Sequence, residues 1–437
     1  MHSRSVISES DAAAAPGSEL SHAQRVRAII AGSAGNLVEW YDFSIYAFMA
    51  LYFASAFFPE GDRSAQLLNV AGIYAAGFLI RPLGGWYFGR LADRSGRKTA
   101  MVVSVLLMGG GSLLIAILPT YASIGALAPL LLLVGRLAQG FSTGGQYGAT
   151  ATYLSEISTA RRRGFYGSLQ FVTLIGGQLS ALAVLLLLQQ LFSEDAIRAW
   201  GWRIPFVLGA VLAGTILLLR HAMHETVVSD APVAGAGTLR ELARYPRPFF
   251  IVFALTAAGN LSFYTFTTYM QKFLVNSAGF DVEMVSWIMT SGLIMFMLLQ
   301  PAVGALSDRI GRRTCLLLFS ALMALCAVPL LQALGTAQSP RVAFALVLAG
   351  FVIISFYTSV AGIFKAELFP VHIRALGVGL GHSLASAMFG GTAEYVGLLS
   401  KQLGHEQLFY WYISGMCVLS LIVTLTMWKP RRTEIMA

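Results

Sequence analysis

Charge is scarce in this chain: Asp, Glu, Lys and Arg make up 12% of its 437 residues, against 56% apolar residues. A soluble globular domain carries about twice that charged fraction, so the composition excludes one and points to a polytopic membrane protein. Cysteine is nearly absent. Cys315, Cys326 and Cys417 all fall in apolar runs, which suits buried small side chains better than disulfides or a metal site. The seven His are scattered, and neither H-E-x-x-H nor G-x-S-x-G occurs, so no enzymatic chemistry, metal or cofactor is expected. Residues 1–24 lack an apolar h-region and read as a disordered tail, not a cleaved signal. A signalling domain, which a transport-derived sensor would need, finds no room in the remaining length.

About twenty apolar residues cross a bilayer as a helix, and only helices or closed barrels satisfy backbone groups there. Twelve such stretches occur, near 28–57, 66–90, 98–119, 125–155, 164–193 and 203–223, then 248–274, 283–305, 314–335, 342–369, 373–400 and 407–428. The expected fold is therefore an all-α integral membrane protein of twelve transmembrane helices in two six-helix bundles, 25–224 and 248–429. A polar cytoplasmic linker, 225–247, joins them, and tails 1–24 and 430–437 flank them. The net charge of +9 does not signal nucleic acid, because its distribution follows the membrane. With both termini inside, 21 of the 30 Lys and Arg fall in the tails and inner loops, while Arg63, Arg198, Arg203, Lys272, Arg341 and Lys401 lie outside. Arg81, Arg136 and Lys365 remain within spans. The bilayer is the expected partner, and a monomer the expected state.

A ten-residue cassette occurs twice, G-R-L-A-D-R-S-G-R-K at 89–98 and G-A-L-S-D-R-I-G-R-R at 304–313, displaced by 215 positions. Glu156 with Arg163 recurs as Glu367 with Arg374, displaced by 211. The halves are thus parallel repeats about an axis along the membrane normal, with a substrate cavity expected between them. Each cassette Asp can pair with basic residues or a neighbouring helix N-terminus. Glu156 and Glu367 can pair with Arg163 and Arg374 between helices when the inside is closed. The cassette resembles the loop between spans two and three of the major facilitator superfamily and its echo between spans eight and nine. That resemblance implies a gate role for Asp93, Arg94, Gly96, Arg97, Asp308, Arg309, Gly311 and Arg312, joined by the Glu156, Arg163, Glu367 and Arg374 set.

Charge within a span costs about 2.5–3.5 kcal/mol on insertion scales, so each such residue is a functional candidate. Glu39 and Asp42 in G-N-L-V-E-W-Y-D-F lie one helical turn apart on a common face, with Arg81 and Arg136 at similar depth. A Glu39–Arg81 pair that only fixes helix register is the plainer reading. The two carboxylates are candidates for proton coupling; the two guanidiniums offer bidentate forks for a dicarboxylate. Lys365, near the inner end, either contacts substrate or snorkels. Asn260, Tyr264 and Thr268 in span seven, Gln178 in span five and His382 in span eleven suit orienting a polar solute, or act as interhelical glue. Glu394, near the outer end, is a gate or proton acceptor.

The runs G-N-L-V-E-W-Y-D-F, R-P-L-G-G-W, W-G-W-R-I-P-F and Y-T-F-T-T-Y-M-Q-K resemble the metabolite:proton symporter family over about 26–428. A-G-F-L-I-R-P, S-F-Y-T-S-V-A-G and F-G-G-T-A-E-Y narrow this to its 2-oxoglutarate carriers. The resemblance implies import of 2-oxoglutarate, a small anionic metabolite, with protons through the bacterial inner membrane. Citrate, shikimate or a zwitterionic osmolyte such as proline or betaine are the alternative substrates. One departure stands in span four, where the family's G-G-E-x-G reads Gly144-Gly145-Gln146-Tyr147-Gly148. An amide exchanges no proton under these conditions. Gln146 makes the chain an uncoupled facilitator, a differently coupled carrier or an engineered variant held in one state, or else the position only hydrogen-bonds and nothing is lost.

Overall fold

A computed structural model of the protein describes residues 22–59, 63–158, 162–220 and 237–426, all helix and connecting turns without strand among the described residues. Span one is His22–Phe57, span three Arg97–Ile117, span four Leu127–Ile157 and span five Arg163–Leu191. Span two is broken into Arg63–Leu79 and Arg81–Ser95. Pro82, in the first turn of the second piece, lacks the N–H that would continue the ladder to Phe78. Span six is Arg203–Arg220, preceded by a short segment, Glu194–Gly201, that meets it at 52°. In the second half, spans seven to ten are Pro246–Asn276, Val282–Ile310, Arg312–Gly335 and Pro340–Glu367. Span eleven runs from Arg374 through a π-helical turn, Ser386–Gly390, to Ala393–Gln402, and span twelve is Glu406–Thr426. The linker expected over 225–247 ends in a helical turn, Leu239–Leu242, just before span seven; its residues up to 236, and both expected tails outside 22–426, lie outside the described residues.

Seven helices among the described residues are long and apolar enough to cross a membrane, and the bent pair of span six makes an eighth. Spans one, two, four and eleven fall short of that test. Two are broken, and the other two carry Glu39 and Asp42 or Arg136 and Gln139.

Within each cassette the chain reverses over a single residue. Gly96 and Gly311 adopt φ of 98° and 88°, a region open to glycine and strained for L side chains. That is why both cassettes carry Gly at the same place, and why the next helix begins at Arg97 or Arg312. Spans two and four touch backbone to backbone: a Cβ on Gly84 would lie 1.9 Å from the Phe141 carbonyl oxygen, and one on Gly144 2.0 Å from that of Arg81. Small residues allow such approach, and van der Waals packing then holds the helices where lipid supplies no hydrophobic drive.

The halves meet through span two against eleven, span four against ten and eleven, and span five against eight. Phe43, Phe78, Tyr147 and Phe171 of the first half join the main apolar core of the second. A separate aromatic core around Phe53, Trp202 and Phe206 belongs to the first half alone. Cys315 and Cys417 are buried and Cys326 half-buried, all unbridged.

Candidate functional site

Between the halves lies a small cavity walled by Glu39 and Trp40 of span one, Arg81 of span two, Tyr147 of span four, and His382 and Ser386 of span eleven. Its free volume, about 10 Å³ for the centre of a water molecule, admits roughly one water. The site is therefore closed around nothing larger. Arg81 enters where span two breaks, and its side chain is buried with the guanidinium carbon 3.9 Å from the Phe78 ring centre and 4.4 Å from that of Phe43. Its Nε and Nη2 atoms have no hydrogen-bond partner among the described residues. Such donors, buried beside a cavity, are matched to an anion that brings its own acceptors. Trp40 and Phe78 meet Tyr264 of span seven at 6.4 and 5.9 Å between ring centres, an aromatic layer across the two halves.

Arg136 does not reach this cavity, contrary to the expectation of a guanidinium pair facing one solute. Its Nη1 donates to Gln139 Oε1 (3.0 Å), Gln139 Nε2 donates to Ser112 Oγ (2.8 Å), and the Ser112 hydroxyl donates to Asp42 Oδ2 (2.6 Å). Rings of Phe43, Tyr46 and Tyr74 surround the Arg136 guanidinium at 4.3, 4.5 and 4.7 Å. The aromatic faces and the amide one turn further on draw it into the first bundle, leaving Phe43 against both guanidiniums. Asp42 is likewise buried, one turn from Glu39 yet in a separate polar chain. Ser112 and Gln139 escaped the sequence reading. The signal for Gln139 was its place three residues after Arg136 in G-R-L-A-Q-G; Ser112 had none beyond being polar in an apolar span.

Lys365 does not snorkel. Its side chain is fully buried, with Nζ 3.0 Å from Tyr147 Oη and 3.1 Å from His382 Nδ1. The Tyr147 and His382 rings stack at 3.5 Å, nearly parallel. Tyr147, absent from the sequence-based site, thereby bridges the halves.

At the cassette end the halves are latched twice. Asp93, ending span two, accepts from the backbone N–H groups of Ala375 (3.1 Å) and Leu376 (2.9 Å), which open span eleven. Arg97 pairs with Asp93 at 2.5 Å and with Glu156 at 3.3 Å, and Arg374 pairs with Glu156 at 3.0 Å. In the other half, Asp308, ending span eight, accepts from Gly164 (2.8 Å) and Phe165 (3.0 Å), which open span five. Arg312 pairs with Asp308 at 3.1 Å and with Glu367 at 3.7 Å, and Arg163 lies 3.8 Å from Glu367. A carboxylate at a helix N-terminus satisfies orphan N–H groups and opposes the positive end of the dipole.

Residues 28–231 match the Sugar (and other) transporter family, and residues 270–435 match the Major Facilitator Superfamily. The chain is 55% identical over 403 residues to the alpha-ketoglutarate permease of Escherichia coli K12, covering 92% of this chain and 93% of that protein. This chain belongs to the major facilitator superfamily. It is also 32% identical over 413 residues to the citrate-proton symporter of Klebsiella pneumoniae, covering 93% of this chain and 92% of that one. Its fold is that of the proton:xylose symporter XylE, with TM-score 0.74 at 16% identity over 92% of this chain and 95% of the other.

In this facilitator fold, Arg81, Glu39 and His382 come together at the cavity with Lys365 just behind, while other sequence candidates do not. Gln178 is half-buried and Asn260 buried, away from the cavity wall, with Gln178 Oε1 and Asn260 Nδ2 lacking hydrogen-bond partners among the described residues. Thr268 is exposed, because the π-helical turn Thr265–Tyr269 shifts the helical phase of span seven. Glu394 is paired with Lys272 between spans eleven and seven, away from the cavity wall. Arg94 and Arg309 point to solvent beside their cassettes. Gln146 sits within span four, and its side chain lies outside the described residues. Among the described residues no cluster of His, Cys, Asp or Glu is placed to hold a metal ion.

Proposed function

We propose that this chain imports 2-oxoglutarate together with protons across a bacterial inner membrane by alternating access, as a monomer with both termini cytoplasmic. The observation that carries the reading is Arg81, buried in the wall between the halves with two guanidinium nitrogens unpartnered. Further support comes from the relatives, named as a permease of alpha-ketoglutarate and a proton symporter of citrate. An inside-negative potential opposes each negative charge by about 2.3 kcal/mol per 100 mV, so a dianion needs at least two protons to cancel its charge.

The parts have separate tasks. Arg81 receives one carboxylate in the cavity. Asp42 carries a coupling proton, with Ser112, Gln139 and Arg136 relaying its charge state to the aromatic wall, and Glu39 stands at the cavity as a second acid. The paired Asp93 and Asp308 latches hold the cytoplasmic side shut until the loaded carrier reorients, and a proton bound at Asp42 shifts that balance by differential affinity for the two states.

Uptake of labelled 2-oxoglutarate into proteoliposomes, with and without an imposed pH gradient, tests this. Accumulation that rises with an inward proton gradient is expected. Uptake indifferent to the gradient removes the coupling and points to Gln146, where Gln146→Glu would then restore it; absent uptake removes the substrate.

A further inference from the structure

We propose that Lys365 is the second cation of the substrate site, receiving the distal carboxylate of a dicarboxylate, and that the Tyr147 hydroxyl holds its place while the site is empty. The proposal rests on the dicarboxylate reading above. Lys365 differs from every other buried cation among the described residues. Arg97, Arg163 and Arg374 are each paired with carboxylates, Arg136 is linked to Asp42 through Gln139 and Ser112, and Arg81 shares its cavity with Glu39. Among the described residues no carboxylate lies within ion-pair distance of the Lys365 amine. Its neighbours are a phenol, an imidazole and the rings of Tyr147, Tyr357 and Phe364 at 4.7, 5.6 and 5.7 Å.

Aromatic faces and neutral acceptors solvate a buried ammonium only in part and supply no opposite charge, which leaves it costly without an anion. An anion that reaches it therefore gains a charge-assisted bond that the empty protein lacks. The path is short, because both residues touching Nζ, Tyr147 and His382, themselves wall the cavity. Their rings close on each other at 3.5 Å, so a carboxylate enters by parting the stack and displacing one hydroxyl.

The placement also explains how cargo can join the halves. Arg81 belongs to span two and Lys365 to span ten, so a dianion held at both ends ties one bundle to the other across the cavity. Without cargo, the Lys365–Tyr147 hydrogen bond makes a weaker tie between the same two halves.

The full-length protein in nanodiscs provides the test, with binding read from tryptophan fluorescence, Trp40 being in the cavity wall. 2-Oxoglutarate is compared with 2-oxobutyrate, which keeps the 2-oxo acid end and lacks the distal carboxylate. Lys365→Met should weaken 2-oxoglutarate about 10- to 100-fold and bring its preference over 2-oxobutyrate close to one. Lys365→Arg should retain part of that preference, which controls for folding. Tyr147→Phe, which removes the placeholder, should bind 2-oxoglutarate more tightly than wild type. A Lys365→Met protein with the wild-type preference overturns the assignment, as does a Tyr147→Phe protein as impaired as Lys365→Met. Wild-type protein that binds no 2-oxoglutarate instead overturns the reading beneath it.

Discussion

The two latches share a cassette but not a strength. At the first, Asp93 and Arg97 are 0% exposed in their side chains, 2.5 Å apart, and Arg97 also donates to the carbonyls of Ala92 (2.7 Å) and Val371 (2.9 Å). At the second, Arg312 and Asp308 are 17% and 10% exposed, and the contacts to Glu367 stretch to 3.7 and 3.8 Å. Removing one partner of a buried pair costs about 3–5 kcal/mol, a pair at the surface contributes about 0–1 kcal/mol, and the partly buried second latch falls between the two. Duplicated sequence has therefore produced one dry clasp and one wetter one.

The sharpest way to break that comparison is Asp93→Asn. It should move the closed-to-open balance by about 3 kcal/mol, near 150-fold, read as a longer distance between spin labels at exposed Arg94 and Arg309. Next comes Arg97→Lys, which keeps the charge but loses the fork that reaches Asp93, Glu156 and Val371 together; a shift of about 2 kcal/mol is expected in the same measurement. Asp308→Asn should shift it by less, about 1–2 kcal/mol, and an effect equal to that of Asp93→Asn would end the asymmetry. Glu367→Gln, at a contact already stretched, should change the distance distribution least, by about 0.5 kcal/mol. Apart from the gate, Arg81→Ala should lower 2-oxoglutarate affinity about 10- to 100-fold, with the label distances of the empty protein near wild type.

How legible these parts were in the sequence follows the range of the forces that shape them. The latches could be read because their determinants are local: an Asp at a helix end, one Gly that turns the chain, an Arg that opens the next helix, all within ten residues and written twice. The twelve spans were readable from apolar length, but the break at Ile80 depended on Pro82 and the offset of Thr268 on a π-helical turn, neither visible in hydropathy. The destination of Arg136 was hidden because rings from spans one and two decide it. For Lys365, depth along the helix suggested a side chain within reach of water, yet Tyr147 and His382 from two other spans enclose it. Packing between distant segments sets which way a long side chain turns, and one sequence encodes that only through the whole fold.

In the transport cycle proposed above, Phe43 stands between the cargo station and the ion station. Its benzene ring lies against the guanidinium at the cavity and against the one at the end of the Asp42 chain, yet it offers neither a hydrogen to give nor a lone pair to take one. In that cycle, anything that passes through this ring between the travelling acid and the Asp42 carboxyl crosses as a nudge or an electric field, because the ring itself hands on no hydrogen ion.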